Sequence, residues 1–376
     1  MTLFDFVLSS DLTGVSFSLL SGIVIELLLI PHILLISKRK RLYDIPDSRK
    51  SHLECIPRLA GVSFLPAFLL SFLPVVSLYG GSVRELSFLI CGASLIFIMG
   101  MKDDLIGMRW SYKFVVQLIA ALCMIASGTF VNNLYGLFGI YELSPLIGYP
   151  LTVFLVVYIL NTVNLIDGVD GLASGIVSVA ALVLGICLYR EHSCHYAALA
   201  FAVLGTQIAF LRYNLCSTRK LKIFMGDTGS NLLGYVIAFL AIHYAMSGSG
   251  RGNGAYVIVI AWSVIFIPAY DALCVIISRW RKKKPLFSPD RSHIHHRLLD
   301  LGYGHKKVTT ILLLLDVVII SMNVFLTKWA NVNLIFLIDL LLGLSFYIFL
   351  DVRKKTVCSH LDTCLLYTSD AADDMQ

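Results

Sequence analysis

The segment NTVNLIDGVDG, residues 161–171, concentrates oxygen-bearing side chains between two long apolar runs. Asn161 and Asn164 are three positions apart and share one face of a helix, which Asp167 continues. Such amide and carboxylate oxygens suit a hard cation such as Mg²⁺. A calcium loop is excluded because the alternating ligand series and the terminal Glu are absent. A plain Asp-Gly turn is the alternative, and it would explain Asp167 and Asp170 but not the asparagines.

Two further acidic motifs lie where apolar runs end or begin. Asp103 and Asp104 follow one run in MGMKDDLIGM. A helix cap is one interpretation of this pair, and a general base with an electrostatic or metal role is the other, since adjacent carboxylates raise one another's pKa. Asp227 lies between glycines in FMGDTGS, directly before another apolar run. The free N–H groups at the start of that helix would attract phosphate, although a capping Asp is the simpler alternative.

Basic and histidine-rich segments could hold phosphate. The sequence PDRSHIHHRLLDLG has no Cys or acidic partner at a convincing ligand spacing, so we favour phosphate contacts over zinc, with a solvated basic loop as the alternative. A second basic segment, residues 38–61, is either a topology signal or a phosphate-binding loop. Asp271, inside an apolar run, is a functional candidate because intramembrane acids are costly. The candidates in the two basic segments are Arg291, His293, His295, His296, Arg297, Lys50 and Arg58.

The composition indicates that membrane helices position these residues. Hydrophobic residues make up 57% of the 376 residues and charged residues 14%, whereas soluble domains carry about 25% charged residues. We expect an all-α polytopic membrane protein, since a span needs about 20 apolar residues. The eleven predicted spans are 14–37, 59–79, 85–101, 113–130, 145–161, 172–189, 195–211, 231–247, 254–278, 309–327 and 332–350.

The distribution of positive charge gives the orientation. With eleven spans, all but four of the 30 lysines and arginines fall on one side of the membrane. Because cytoplasmic loops carry the excess of Lys and Arg, the N-terminus is predicted outside and the C-terminus in the cytoplasm. All the acidic and histidine motifs then lie in or next to cytoplasmic loops. The net charge of +6 is explained by this topology and by anionic lipid, with no nucleic-acid partner.

The rest of the chain adds few functional candidates. The nine cysteines form no CxxC pair and are interpreted as small buried hydrophobes. Residues 130–144 are expected to form a small interfacial hairpin. Residues 1–360 are interpreted as one integral membrane domain. Residues 361–376 form an acidic tail without apolar periodicity, which we interpret as foreign or read-through sequence and to which no function is assigned.

Together, the loops combine carboxylates, amides, glycine-rich turns, histidines and arginines at one membrane surface. This combination is what a metal-dependent phosphoryl transfer requires, with a soluble phosphorylated substrate and a lipid substrate. An ion-coupled transporter is the competing class, and it would place its acids near mid-span on facing helices. A structural scaffold would have no reason to collect carboxylates on the side selected for cations.

Four motifs, in order and spacing, resemble the polyprenyl-phosphate N-acetylhexosamine-1-phosphate transferases, which belong to glycosyltransferase family 4. They are the DD pair, NxxNxxDGxDGLA, FMGDTGS and PDRSHIHHRLL, and the resemblance covers about residues 15–350. The HIHH form is similar to the bacterial undecaprenyl-phosphate N-acetylglucosamine-1-phosphate transferases. The resemblance implies transfer of N-acetylglucosamine-1-phosphate from its UDP-sugar to undecaprenyl phosphate with release of UMP, at the bacterial inner membrane and with Mg²⁺ or Mn²⁺. It does not decide between this donor and another UDP-N-acetylhexosamine, nor which glycan is made downstream (O-antigen among others). It also leaves open whether the protein forms a homodimer.

The resemblance also implies roles for single residues. Asp227 would be the main metal ligand, completed by Asn164. Asp103, assisted by Asp104, would deprotonate or orient the lipid phosphate. The remaining carboxylates and the polar residues of the loops would hold the substrates. Asp167 and Asp170 would hold the diphosphate, Asn161 would bind substrate and Asn214 would contact uridine. The diphosphate and sugar would be contacted by Arg291, His293, His295, His296 and Arg297. The lipid phosphate would be contacted by Lys50 and Arg58.

The predicted topology can be tested by labelling from one side of the membrane. Single cysteines placed at Arg84, Arg190 and Arg251 in a cysteine-free background should react with a membrane-impermeant maleimide on intact cells. A cysteine at Lys282 should react only after the membrane is opened. The reverse pattern would contradict the orientation.

Overall fold

A computed structural model describes residues 11–44, 56–79, 81–215, 221–247, 254–283 and 292–373. Two of the candidate residues, Lys50 and Arg291, lie outside these ranges. The described residues form thirteen helices and two short antiparallel two-stranded sheets. The helices are α1 (Asp11–Arg39), α2 (Gly61–Tyr79), α3 (Val83–Ile106), α4 (Trp110–Ser127), α5 (Pro145–Leu165), α6 (Leu172–Arg190), α7 (Cys194–Asn214), α8 (Gly226–Ser247), α9 (Gly254–Ser263), α10 (Phe266–Arg281), α11 (Ile294–Asp300), α12 (His305–Leu326) and α13 (Val332–Asp373). The strands are β1 (Tyr43–Asp44), β2 (Ile56–Pro57), β3 (Asn133–Leu137) and β4 (Ile140–Glu142).

The predicted apolar runs coincide with helices. Ten described helices are long and apolar enough to cross a membrane, and α9 with α10 forms a further candidate span that is bent by 66°. This bent pair corresponds to the run predicted at 254–278. The chain is therefore a multi-pass membrane protein, and its transmembrane part is helical as expected. Helix α13 continues to Asp373, past the apolar part of the helix, which ends near Lys354.

The break between α9 and α10 is fixed by buried polar contacts. Pro268 has no N–H to donate to the carbonyl of Val264, so a regular helix is interrupted there. Nearby, the indole N–H of Trp262 donates to Asp339 Oδ2 at 2.9 Å. The Asn323 amide donates to the same oxygen at 2.8 Å and to Ser263 Oγ at 2.8 Å. Helices α12 and α13 thereby hold the end of α9, which sets the direction in which α10 continues.

The predicted hairpin at 130–144 is confirmed. Strands β3 and β4 pair antiparallel, and Gly136 and Gly139 adopt the positive φ angles that such tight turns require. Asn333 of α13 holds the turn, since it accepts from the Phe138 N–H at 2.7 Å and donates to the Gly136 carbonyl at 2.9 Å. The hairpin follows the end of α4 that is remote from the acidic motifs, so it closes the opposite end of the bundle.

Helix α8 is the central element of the bundle. It packs against α2, α3, α5, α6 and α9, and nearly all of its residues are buried. Glycines allow its first turn to approach two neighbouring helices closely. A Cβ atom on Gly61 of α2 would lie 2.2 Å from the Gly229 nitrogen, and one on Gly100 of α3 would lie 2.5 Å from the Thr228 Cα. The backbone at the start of α8 is therefore held directly against the backbones of α2 and α3.

This packing predicts that Gly61→Ala destabilises the fold. The new methyl group would meet backbone atoms, which cannot rotate away, so we expect a loss of about 1–3 kcal/mol, typical of overpacking, measured as a lower unfolding temperature in detergent. Gly304→Ala is the matched control, because a Cβ atom there meets nothing within 4 Å. Equal unfolding temperatures for the two variants would contradict the close packing.

Candidate functional site

Three helix ends bring the acidic motifs together at one end of the bundle. Asp103 and Asp104 lie in the last turn of α3, Asn164 lies in the last turn of α5, and Asp227 lies in the first turn of α8. Apart from the adjacent pair, these residues are at least 60 positions apart in the sequence, so only the tertiary fold places them in one site. The predicted convergence of the motifs is what the structure shows.

Asp104 caps the N-terminus of α8 from a different helix. Its carboxylate accepts from the N–H groups of Asp227 at 3.0 Å and Thr228 at 2.9 Å, and from the Thr228 hydroxyl at 2.6 Å. Free N–H groups at a helix start favour a negative charge. Gly226 permits this approach, because its φ is +68° and a Cβ atom would lie 2.5 Å from the carboxylate. The sequence alternative of a helix cap thus describes Asp104 correctly, but the capped helix is α8 and not the following one.

Lys113 joins two carboxylates that would otherwise repel each other. Its ammonium group donates to Asp103 Oδ2 and, at 2.8 Å, to Asp227 Oδ2. The other oxygen of Asp103 accepts from the Met108 N–H at 2.7 Å, which fixes the turn after α3. Sequence reasoning counted Lys113 only as a topology charge. Its place three residues inside an apolar helix was a usable signal, because ionisable residues within membrane helices are functional candidates.

Side-chain amides connect α4, α5 and α8 behind the carboxylates. Asn164 donates to Asp227 Oδ1 at 3.3 Å and to Ser230 Oγ at 2.8 Å. Asn161 donates to Gln117 at 2.9 Å, and Gln117 reaches Asn231 at 3.4 Å. Of the two predicted asparagines, Asn164 therefore touches Asp227 directly, whereas Asn161 supports the site through Gln117. Sequence analysis missed Gln117 and Asn231, whose types carry no motif.

Asp167 lies in the loop after α5 and lines the central cavity. Burial raises the pKa of its carboxyl group well above the usual value, and the nearby carboxylates of Asp227, Asp104 and Asp170 raise it further. A carboxyl group whose pKa is shifted towards neutrality is suited to accept a proton during a reaction.

Asp170 ties the same loop to two other segments. Burial alone would raise its pKa, but the nearby His305 and the hydrogen bond from Lys222 outweigh that effect and lower the pKa below the usual value. The Lys222 ammonium lies 2.6 Å from the carboxylate and His305 Nδ1 lies 3.4 Å from it. The described partners of Asp170 are thus protein groups, and they hold the loop in place. Lys222 and His305 were not among the predicted site residues.

Asn214 has a comparable position under this loop. Its side chain accepts from the Gly171 N–H at 2.6 Å and donates to the Ile223 carbonyl at 3.1 Å. It therefore links the end of the NTVNLIDGVDG segment to the segment leading into α8. Contact with uridine stays a prediction for this residue.

Two histidines of the HIHH motif are packed against the acidic segments. His293 Nδ1 lies 2.7 Å from Asp271 Oδ2, and Asp271 also accepts from the Ile294 N–H at 2.7 Å. The buried Asp271 proposed from the sequence thus supports the start of α11. His295 packs on Gly168, where a Cβ atom would lie 2.9 Å from Nε2. Burial, assisted by neighbouring His296, lowers the pKa of His295 to about 3, so this ring is neutral.

The two described arginines of the candidate set contact protein groups. Arg297 pairs with Asp351 at 2.5 Å, donates to the Ser292 carbonyl at 2.8 Å and lies over the Tyr347 ring. It fastens α11 to α13 and is not part of the cavity wall. Arg58 donates to the Asp104 carbonyl at 2.7 Å and so lies beside the acidic pair.

A cavity of about 1170 Å³ runs from these groups along the bundle. Its polar end is formed by the Asp167 carboxyl group and by amide, basic and histidine side chains, and its other end is formed by apolar and aromatic side chains of α4, α5 and α10. The polar lining residues include Lys113, Gln117, Asn161, Asn164, Asp167, Arg279, His293, His295 and His296. The apolar lining includes Phe114, Leu118, Leu122, Ile125, Val153, Phe154 and Ile276.

The donor set at the polar end fits a hard divalent cation that is shared with a substrate. Within the described ranges, no group of three or more His, Cys, Asp or Glu side chains is placed to hold a metal alone. Mg²⁺ commonly binds one or two carboxylates together with substrate phosphates. Asp227 and Asp103 supply the two carboxylates, and the Asn164 amide lies beside them.

The capping role of Asp104 predicts that Asp104→Asn lowers stability. Replacing the carboxylate removes a charge-assisted cap from α8, which should cost about 1–2 kcal/mol, measured as a lower unfolding temperature in detergent. The control is Asp300→Asn, whose exposed pair with Lys354 should contribute at most about 1 kcal/mol. An unchanged unfolding temperature for Asp104→Asn would refute the cap.

Comparison with known proteins places the chain in a family. Residues 86–245 match the model of glycosyl transferase family 4. A probable undecaprenyl-phosphate N-acetylglucosaminyl 1-phosphate transferase of Bacillus subtilis (strain 168) is 31% identical over 304 residues, covering 78% of this chain and 81% of the relative. Undecaprenyl-phosphate alpha-N-acetylglucosaminyl 1-phosphate transferases are 29% identical in Yersinia pestis, covering 80% and 83% of the two chains, and 29% in Escherichia coli (strain K12), covering 82% and 84%. The chain therefore belongs to glycosyl transferase family 4, among the polyprenyl-phosphate N-acetylhexosamine-1-phosphate transferases that its motifs predicted.

Proposed function

We propose that this protein transfers N-acetylglucosamine-1-phosphate from UDP-N-acetylglucosamine to undecaprenyl phosphate and releases UMP. One observation carries the proposal: a single cavity joins a polar end, lined by Asp167, Lys113, amides and histidines, to a long apolar end between membrane helices. Lys113 connects this polar end to Asp103 and Asp227. The names of the relatives support the same reaction. The same reaction with another UDP-N-acetylhexosamine is the alternative.

The two ends of the cavity match the two substrates. The apolar end, between α4, α5 and α10, offers a surface against which a polyprenyl chain can lie. The polar end offers cationic and neutral donors for phosphate oxygens, among them His293 and His295. A lipid phosphate whose tail occupies the apolar end would have its charged head beside Asp103 and Asp167.

The chemistry is a phosphoryl transfer with one bond formed and one broken. An oxygen of the lipid phosphate attacks the sugar-bearing phosphorus of the UDP-sugar, and the bond from that phosphorus to the UMP oxygen breaks. Asp103 and Asp167 are the candidates for orienting or deprotonating the lipid phosphate. Lys113 offers a positive charge between Asp103 and Asp227, where the transferred group would otherwise meet only carboxylates.

A bound Mg²⁺ or Mn²⁺ would be held by Asp227 with the help of Asn164. When bound, the cation would neutralise the diphosphate and polarise the phosphorus that is attacked. The protein groups orient the reactants: Asp104 holds the start of α8, and Asp170 with Asn214 holds the loop that carries Asp167.

A transporter is the competing class and lacks support from this architecture. Buried acids do occur within spans, at Glu26, Asp271, Asp316 and Asp339. They lie on α1, α10, α12 and α13, and none lines the central cavity. The acids that line or border the cavity are at one end of the bundle, as the enzyme requires.

The cellular setting belongs to the proposal as well. By the positive-inside rule, the polar end of the cavity would face the cytoplasm, where a UDP-sugar is available. A bacterial inner membrane is the setting proposed from the family resemblance. The product would enter a cell-surface polysaccharide pathway as its first lipid-linked intermediate. A homodimer is compatible with the lipid-facing surface and can be tested by cross-linking in the membrane.

The decisive experiment is an assay of UMP release by the purified protein. With undecaprenyl phosphate, Mg²⁺ and a panel of UDP-sugars, we expect UMP release with UDP-N-acetylglucosamine and its loss on chelation. Asp227→Asn should reduce turnover by at least about 100-fold, because charge stabilisation in the transition state is lost, while the protein stays folded in the membrane. Asp300→Asn is the matched control and should keep wild-type turnover. Normal turnover by Asp227→Asn would contradict the assigned site.

A further inference from the structure

The start of α11 is held by a chain of three buried side chains from three separate elements. The Tyr347 hydroxyl of α13 donates to Asp271 Oδ1, and His293 Nδ1 contacts Asp271 Oδ2 at 2.7 Å. Tyr347 is 7% exposed, Asp271 1% and His293 4%. Asp271 therefore lies between a residue of the last membrane helix and a residue that lines the cavity.

The contacts of Asp271 determine which ring nitrogen of His293 is available. A carboxylate accepts hydrogen bonds, so the Nδ1 atom facing Asp271 carries a proton. The remaining ring nitrogen, Nε2, is the one left for a ligand in the cavity. The Ile294 N–H, which also donates to Asp271 at 2.7 Å, fixes the backbone beside the ring. Position and tautomer of His293 are thus set by one carboxylate.

Of the three hydrogen-bonded side chains, Tyr347 is the one that no sequence motif or pattern indicates. Its hydroxyl orients the Asp271 carboxylate, and its ring carries Arg297, which lies 4.8 Å from the ring centroid. It thereby contacts both flanks of the HIHH segment from a helix that supplies no group to the cavity. A Phe at this position would fill the same space and pack as well, but it would leave one carboxylate oxygen with one donor fewer.

We propose that Tyr347 is a positioning residue that acts through Asp271 to hold His293 Nε2 towards the diphosphate of the nucleotide sugar. This inference rests on the proposed function, since it takes the ligand of His293 to be that diphosphate. Loss of the hydroxyl loosens Asp271 and lets the imidazole rotate, so binding of the donor substrate weakens. Binding of the lipid substrate, whose tail lies in the apolar end of the cavity and whose phosphate lies beside Asp103 and Asp167, stays unchanged.

The test compares Tyr347→Phe with Tyr270→Phe in the full-length protein. Both tyrosines pack between α10 and α13, but the Tyr270 hydroxyl donates to the Leu340 carbonyl, at 3.3 Å, and not to Asp271. We expect Tyr347→Phe to raise the KM for the UDP-sugar several-fold, with the KM for undecaprenyl phosphate and the unfolding temperature unchanged. Tyr270→Phe should leave both KM values at the wild-type level. An unchanged donor KM in Tyr347→Phe, or an equal rise in Tyr270→Phe, would overturn the proposal.

A double-mutant cycle identifies Asp271 as the intermediary. Asp271→Asn should weaken donor use by about 10–100-fold, as the loss of a carboxylate that orients a ligand histidine does. Adding Tyr347→Phe to Asp271→Asn should then have no further effect on donor use, because the effects of two substitutions that remove the same interaction do not add. Additive effects would show that Tyr347 acts by another route.

A spectroscopic measurement separates this inference from the proposed function. Nitrogen-15 NMR of histidine-labelled protein in lipid nanodiscs should show His293 with a protonated Nδ1, and Tyr347→Phe should shift that tautomer population. An unshifted population overturns the positioning role whatever the enzyme acts on. A different result is also informative: the wild-type protein releases no UMP, yet Tyr347→Phe still shifts the tautomer population of His293. This result would overturn the choice of substrate and would keep the Tyr347–Asp271–His293 chain.

Discussion

The structure depends on one electrostatic constraint. Several carboxylates lie close together at one end of a membrane helix bundle, and their mutual repulsion must be compensated by other groups. Asp103, Asp104, Asp167 and Asp227 converge there. Lys113 compensates two of these charges, and the N-terminus of α8 compensates a third. Among the described residues, Asp167 has neither a cation nor a capping N–H as a partner, and burial together with the neighbouring carboxylates raises its pKa. The architecture can be understood as the set of helices needed to hold this arrangement.

Helix α8 has the largest share in that task. Its first turn carries Asp227, its free N–H groups hold Asp104, and its glycine contacts with α2 and α3 fix where that turn lies. The amides of Gln117 and Asn231 tie it to α4. On the far side of the cavity, the broken span α9–α10 and the short α11 supply Asp271 and the histidines. The cavity itself is lined by α4, α5, α10 and the histidine segment, and it is polar beside Lys113, Asp167 and the histidines and apolar beyond them.

The helices and the convergence of the motifs could be predicted from the sequence. The side-chain contacts that connect the helices could not. Long apolar runs must become helices in a bilayer, because every backbone group has to be satisfied within the segment. The DD, NxxNxxD and GDTG motifs could be recognised because glycines and acids are conspicuous at the ends of such runs. Lys113 was obscured because basic residues near helix ends also serve topology. Gln117, Asn231 and Tyr347 act through pairings more than 40 residues apart, which no local spacing encodes.

The carboxylate side and the histidine side of the site are supported by different kinds of contact, and this gives the two sides different mechanical stiffness. Where α8 meets α2 and α3, backbone rests on backbone through Gly61 and Gly100, so the smallest displacement produces steric overlap. On the histidine side, α11 is joined to its surroundings by side chains that can re-form their bonds after a small shift, such as Arg297 with Asp351. We therefore expect a ligand to displace the histidine segment more readily than the start of α8, which carries Asp227.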